Sequence, residues 1–416
     1  MERKATLKES HSPDVAGWVT EAGLAGHSEP DLLSGFCERA IAAGLPLARA
    51  TVIVDTLHPI YEGRVFRWQR GAKEATLSEY GRTDVGDAAA AWRRSPFFHL
   101  LQTGGSSLRA RLRPGDKLGF PVLEEMREAG ITDYLALVNR FAADGVIGEM
   151  DCILSSWMTD APEGFGESAL AELRRIVPCL ALAVKSASLG RIAATLVETY
   201  LGRDAGRRVL SGRISRGIAE RISAVIWFSD LRGYTTITDT AAPEHIIPLL
   251  NDYAEAVISA IDERGGEVLK LIGDGTLAIF RAEESGRACA AALAAAVEAR
   301  RRIAALNQSR GAKSLPVTDL YLGLHVGEVF YGNIGSKDRL DFTVVGPAVN
   351  EASRVAAMCR SADQTVLLSS AFAAAARGTG WRLASVGRYA LRGIGRPQEL
   401  FTLDAAEEAA GSGLRL

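Results

Sequence analysis

Cysteine is scarce in this 416-residue chain and never closely spaced. The five cysteines stand apart at positions 37, 152, 179, 289 and 359. Without a Cys-x-x-Cys pair, a zinc cluster or redox dithiol is not expected, and dispersed thiols fit a reducing compartment. A charge surplus is also missing: 48 Lys and Arg stand against 50 Asp and Glu, a net charge of −2. A general nucleic-acid binder carries a basic excess, so any anion site must be local. No run reaches the ~18 consecutive apolar residues of a membrane helix, and residues 1–10 lack the apolar core of a signal peptide. The expectation is a cytoplasmic protein with neither nucleic acid nor membrane as partner. What is present is ordinary globular material, 47% hydrophobic and 24% charged. It is enough for more than one core, in a length that calls for two or three domains.

The most informative stretch is Val225-Ile226-Trp227-Phe228-Ser229-Asp230-Leu231-Arg232-Gly233-Tyr234-Thr235. An apolar, β-branched and aromatic run that stops at a Gly turn is the pattern of a buried strand. Asp230 then sits where the strand leaves the sheet. Backbone N–H groups in such a turn, with a helix start behind them, can cradle phosphate. Taken alone, a strand-end Asp before Gly is more often a turn residue. A second stretch changes the balance: Val268-Leu269-Lys270-Leu271-Ile272-Gly273-Asp274-Gly275-Thr276-Leu277-Ala278-Ile279-Phe280. Asp-Gly between apolar runs signals a hairpin, with Asp274 at its tip, able to face Asp230 from an adjacent strand. Two carboxylates beside a phosphate cradle suit two divalent ions.

Three blocks together resemble the signatures of class III nucleotide cyclases. They are the 228–235 turn, Lys270-Leu271-Ile272-Gly273-Asp274-Gly275, and Val345-Gly346-Pro347-Ala348-Val349-Asn350-Glu351-Ala352-Ser353-Arg354. They occur in the family's order, and the resemblance spans roughly residues 215–405. It implies that Asp230 and Asp274 hold two Mg²⁺ or Mn²⁺ ions per site. It also implies that the backbone of Leu231, Gly233, Tyr234 and Thr235 wraps the β- and γ-phosphates. Lys270 and Thr343 would choose the base. A lysine donor and a hydroxyl acceptor match adenine N1 and N6, whereas guanylate cyclases carry an acidic residue at the lysine position. Asn350 would orient the ribose and Arg354 would stabilise charge on the α-phosphate; at i and i+4 they share a helix face. Arg392 stands where the family often has a phosphate-binding lysine. Since the family's sites form between two cyclase domains and this chain has one, the resemblance implies a homodimer with sites at the interface. The expected activity is adenylate cyclase, ATP to 3′,5′-cyclic AMP and pyrophosphate. The alternatives are a guanylate cyclase and a catalytically silent nucleotide-binding regulator.

The expected fold class is α+β. Residues 218–405 read as strand, helix, hairpin, helix and strand, the ferredoxin-like βαββαβ order, with 320–327 as one strand and 328–334 pairing back on it. Ahead of it, residues 13–188 read as helices, strands at 48–55 and 63–69, an irregular stretch at 70–116, a helix at 120–130, strands at 133–140 and 148–157, and a helix at 167–188. This order resembles, loosely, a GAF-like α/β sensor domain, which implies a small-molecule ligand of unknown kind. A domain without a ligand is an equal alternative. His58 and His99 are weighed as haem or metal ligands against the plainer reading of hydrogen-bonded residues. Residues 189–217, with Arg203, Arg207, Arg208, Arg213 and Arg216, read as a helical connector. Residues 1–12 read as a loose N-terminus and 406–416 as a tail.

Overall fold

The computed structural model describes residues 14–81, 86–142, 146–148, 150–392 and 396–404. The expected loose N-terminus, the tail and the Gly393–Gly395 part of the Arg392 block lie outside them. The chain divides into two compact units, Met1–Leu196 and Val197–Leu416.

The first unit contains α1 (Val15–Leu24), α2 (Glu29–Ala42), β1 (Arg49–Asp55), β2 (Gly63–Gln69), β3 (Thr76–Tyr80), α3 (Gly86–Arg93), α4 (Pro96–Thr103), β4 (Ser107–Arg111), α5 (Pro121–Glu128), β5 (Asp133–Arg140), β6 (Cys152–Thr159) and most of α6 (Glu167–Leu201). Its strands form one antiparallel sheet in the order β3-β2-β1-β6-β5-β4. Side chains that alternate along a strand feed two cores. One holds Val52 and Val54 with Leu33, Phe36, Leu173 and Val177 from α2 and α6. The other holds Met158 and Tyr134 with Phe97 and Leu123 from α4 and α5. Ser28 and Ser95 cap α2 and α4, each accepting a backbone N–H three residues on.

Two expectations need correcting here. The stretch at 70–116 is not irregular; it holds β3, α3, α4 and β4. The helix from Glu167 does not stop at 188 but runs unbroken to Leu201. By length and composition α6 is also apolar enough to cross a membrane, although it holds no uninterrupted apolar run of the ~18 residues such a helix needs. Its Leu170, Leu173, Ile176, Val177, Leu180 and Val184 are buried in the first core, as in a core helix. His58 Nδ1 accepts the amide N–H groups of Ile60 and Tyr61 at 3.1 and 3.3 Å, so it closes a turn, while His99 packs edge-on against Phe120.

The second unit contains α7 (Arg203–Leu210), β7 (Ala219–Leu231), α8 (Tyr234–Thr240), α9 (Ile246–Asp262), β8 (Glu267–Ile272), β9 (Gly275–Arg281), α10 (Ser285–Ala312), β10 (Leu320–Gly335), β11 (Leu340–Val345), α11 (Pro347–Ala357), β12 (Val366–Ser369), α12 (Ser370–Ala375), β13 (Leu383–Tyr389) and β14 (Gln398–Leu403). Four strands lie in the order β10-β7-β9-β8, the ferredoxin-like arrangement, and β12, β14 and β13 extend the sheet beyond β10. β7 is buried on both faces: Val225 and Trp227 face the α9–α10 layer, and Ala224 and Ile226 face α11. β10 is a single 16-residue strand; the partner that pairs back on it is β11, not residues 328–334. The connector's α7 is seated on this unit's own sheet. Asp204 accepts from Arg208 (2.7 Å), Arg281 (2.8 Å) and the Tyr331 hydroxyl (3.2 Å).

Candidate active site

β7 delivers Asp230. Ser229 is held in the sheet, its Oγ accepting from Trp227 Nε1 at 2.9 Å, and it pairs with Thr276 across β9. The next residue, Asp230, is still paired with Tyr321 of β10 but is exposed, and it lies beside Gly275. Only glycine fits there, because a Cβ on Gly275 would lie 2.6 Å from the Ser229 carbonyl oxygen. Ile272 pairs with Gly275, so the two-residue turn is Gly273-Asp274 rather than Asp274-Gly275. Gly273 has φ +64° and Asp274 keeps a negative φ, the Gly-first pattern of a type II′ hairpin.

This turn brings the second carboxylate to the first. Asp274 Oδ2 accepts the Leu231 amide N–H at 3.2 Å. Partial burial, a hydrogen bond that the protonated carboxyl donates to the Asp274 side chain, and the charge of Asp274 push the Asp230 carboxyl up to about 6 from the usual 3.8. Neither carboxylate has a Lys or Arg partner among the described residues, and no third His, Cys, Asp or Glu completes a metal cluster there. Two neighbouring acids with no counter-charge and only oxygen donors fit a divalent cation that draws its remaining ligands from water and phosphate.

The turn that follows supplies donors. The Leu231 N–H is committed to Asp274, and the Arg232 N–H donates to the Asp319 carbonyl at 2.8 Å. Thr318 Oγ1 donates to the Arg232 carbonyl at 2.6 Å and fixes the turn from behind. Gly233, with φ +69°, starts α8, and the first helical bond is made by Ile237 to the Gly233 carbonyl. The amides of Tyr234, Thr235 and Thr236 are thus free of helical partners. Of the four backbone groups named from sequence, Leu231 acts on Asp274, while Gly233, Tyr234 and Thr235 form the exposed start of the helix.

The remaining residues lie on other elements. Lys270, on β8, pairs with Asp341 on β11. Thr343, two residues along β11, is 6% exposed, and its hydroxyl is buried without a hydrogen-bond partner. Asn350 is exposed and Arg354 half-buried on α11, and Arg354 makes no ion pair among the described residues. Arg392 is exposed just after β13. Gly323 of β10 sets the depth of α11, since a Cβ there would lie 2.4 Å from the Ala356 nitrogen and 2.6 Å from the Ala352 carbonyl. A small cavity of about 160 Å³ reaches Asp274 between β7, β8 and α9, and none of Lys270, Thr343, Asn350 or Arg354 lines it. Sequence reasoning missed Asp341. The usable signal was its i, i+2 relation to Thr343, which places both on one side of a strand.

Residues 219–405 match the family described as "Adenylate and Guanylate cyclase catalytic domain". An adenylate cyclase of Anabaena cylindrica is 35% identical over 160 residues, 38% of this chain and 31% of that protein. Adenylate cyclase 1 of Rhizobium meliloti is 30% identical over 181 residues, 42% of this chain and 27% of that protein. The chain spans about a third of the length of the curated relatives it matches. Among solved structures, the guanylyl cyclase Cya2 is 29% identical with a TM-score of 0.40, covering 44% of this chain and 93% of that one.

Proposed function

We propose that the nucleotide cyclase catalytic domain carried by residues 219–405 converts ATP to 3′,5′-cyclic AMP and pyrophosphate as a cytoplasmic homodimer. The observation that carries the reading is the pair Asp230–Asp274, held side by side at the strand ends with no cationic partner. Asp230 and Asp274 would hold Mg²⁺ or Mn²⁺, and the chemistry such ions supply is neutralisation of the triphosphate and acidification of the ribose 3′-hydroxyl. The free amides at the start of α8 receive phosphate oxygens. Arg354 contributes its guanidinium to the α-phosphate, where charge develops during in-line attack. Asn350 holds the ribose, and Arg392 contacts the polyphosphate.

Base choice follows from Lys270 and Thr343. Lys270 has three donors; one goes to Asp341 and another remains for adenine N1. The unpartnered Thr343 hydroxyl accepts from N6, and guanine, with N1–H and O6, reverses both polarities. The resemblance to cyclases whose sites form between two such domains, with one such domain in this chain, supports a site in which one chain provides the carboxylates and its two-fold partner provides the rest. In this reading the N-terminal unit is a sensor that regulates the cyclase.

The test mixes two inactive variants. Equal amounts of Asp230→Ala and Arg354→Ala chains, exchanged and assayed with ATP and Mn²⁺, should recover about a quarter of wild-type turnover. Half of the dimers are then mixed, and each regains one of two symmetric sites. No recovery sinks the shared-site reading, and faster turnover of GTP than ATP by the wild type sinks the adenine assignment.

A further inference from the structure

The first unit contains a cavity of about 1390 Å³. Protein interiors are close-packed with few voids larger than a water, and ordinary ligand pockets span roughly 300–1,000 Å³. Its floor is one side of the sheet. Along β1 the residues alternate, and Arg49, Thr51, Ile53 and Asp55 lie on the cavity side while Ala50, Val52 and Val54 belong to the opposite core. The register sets Met158 of β6 beside Arg49, and Val65 of β2 beside Ile53. Trp92, Phe97 and Met126, from α3, α4 and α5, form the other wall.

Several polar groups that line this chamber have partners among the described residues. Asp55 accepts from the Tyr80 hydroxyl at 2.7 Å. Tyr134 and Ser156 hydrogen-bond to each other. Arg67 donates to Ser78 Oγ at 3.0 Å, Arg70 pairs with Asp160, and Arg94 donates to the Ala90 carbonyl at 3.2 Å. Arg49 differs. Its half-buried guanidinium has five donors, and among the described residues its side-chain hydrogen bonding is limited to Met126 Sδ, a weak acceptor, at 3.9 Å. Glu125, next to Met126 on α5, is exposed and makes no ion pair with it.

We propose that this cavity binds a small molecule with an apolar ring or chain and one carboxylate, the carboxylate resting on Arg49. A guanidinium fork matches a carboxylate through two parallel hydrogen bonds. Arg67, Arg70 and Arg94 are exposed, which leaves Arg49 as the half-buried arginine among the described lining residues, and a single such cation suits a monoanion. Ile53, Val65, Trp92, Phe97 and Met158 receive the apolar body. The proposal concerns the first unit alone and does not rest on the cyclase reading.

Calorimetric titration of the full chain tests it, with naphthalene-2-carboxylate and octanoate set against naphthalene-2-carboxamide and octanamide. At least one acid should bind roughly tenfold or more tightly than its amide, as expected for a hydrogen-bonded charge. Arg49→Gln should erase that preference, and Ile53→Trp, which fills the chamber, should weaken acid and amide alike. The proposal is overturned if neither acid binds, if acid and amide bind equally well to the wild type, or if folded Arg49→Gln keeps the preference. Should Arg49→Gln fail to fold, the acid–amide comparison and Ile53→Trp decide.

Discussion

Replacing Asp230 with Asn should make the metal-free protein more stable while it abolishes turnover. Asp230 has its carboxyl raised to about 6 by partial burial and by Asp274. A raised carboxylate favours the folded state only while it is protonated. Stability therefore falls as pH rises from 3.8, where the unfolded chain ionises, to about 6, where the folded site does, and stays low above that. The displacement corresponds to at most about 3 kcal/mol. Asp230 is exposed, so solvent screening reduces the penalty to about 1 kcal/mol. Asp230→Asn keeps the shape and removes the repulsion, so at pH 7.5 in EDTA its Tm should rise by about 2–4 °C, the shift expected for a unit of this size. The gain should vanish below about pH 4. Adding Mn²⁺ with a non-hydrolysable ATP analogue should raise the wild-type Tm and leave the variant unmoved, because ligand binding to the native state stabilises by mass action. A variant no more stable than wild type in EDTA at pH 7.5 would refute the idea that the two acids repel without a cation.

Two further outcomes follow from geometry elsewhere. Gly275→Ala should cost stability and most of the turnover, since its Cβ would lie 2.6 Å from the Ser229 carbonyl; a chemical melt and a Mn²⁺-dependent assay on one preparation check both. In the first unit Glu29 is 1% exposed and hydrogen-bonded by Arg191 and Ser188. Burial alone would raise its carboxyl, but the Arg191 hydrogen bond and charge hold it below the usual range; its contribution is thus present above pH 4.5 and lost as pH falls. Arg191→Ala should cost about 3 kcal/mol at pH 7, and urea melts should show the loss shrinking toward pH 4.

The sequence was most legible where one physical signal dominated. The run from Val225 to Phe228 is apolar at every position because β7 is buried on both faces, and a Gly turn closes it. The Lys270–Phe280 hairpin was equally plain, yet its turn was misplaced by one residue. Gly273-Asp274-Gly275 permits two registers, and the choice falls to whichever glycine must lie against the Ser229 carbonyl. The stretch at 70–116 was opaque for another reason. β3 and β4 are the two edges of their sheet, β3 is exposed along almost its whole length, and edge strands lack the alternation that reveals a half-buried one. The Lys270–Asp341 pair joins residues 71 positions apart. Such a contact belongs to topology, although the alternation of Asp341 with Thr343 would have placed both on one side once β11 was known.

Gly323 bears on more than packing. By withholding a side chain it lets a whole helix sink against the sheet, and the two residues proposed to handle ribose and α-phosphate ride on that helix. How far they extend is thus calibrated from underneath, at a position that will never touch nucleotide. Any side chain at that position would meet the helix backbone and force it outward, carrying Asn350 and Arg354 with it, although neither residue had been changed.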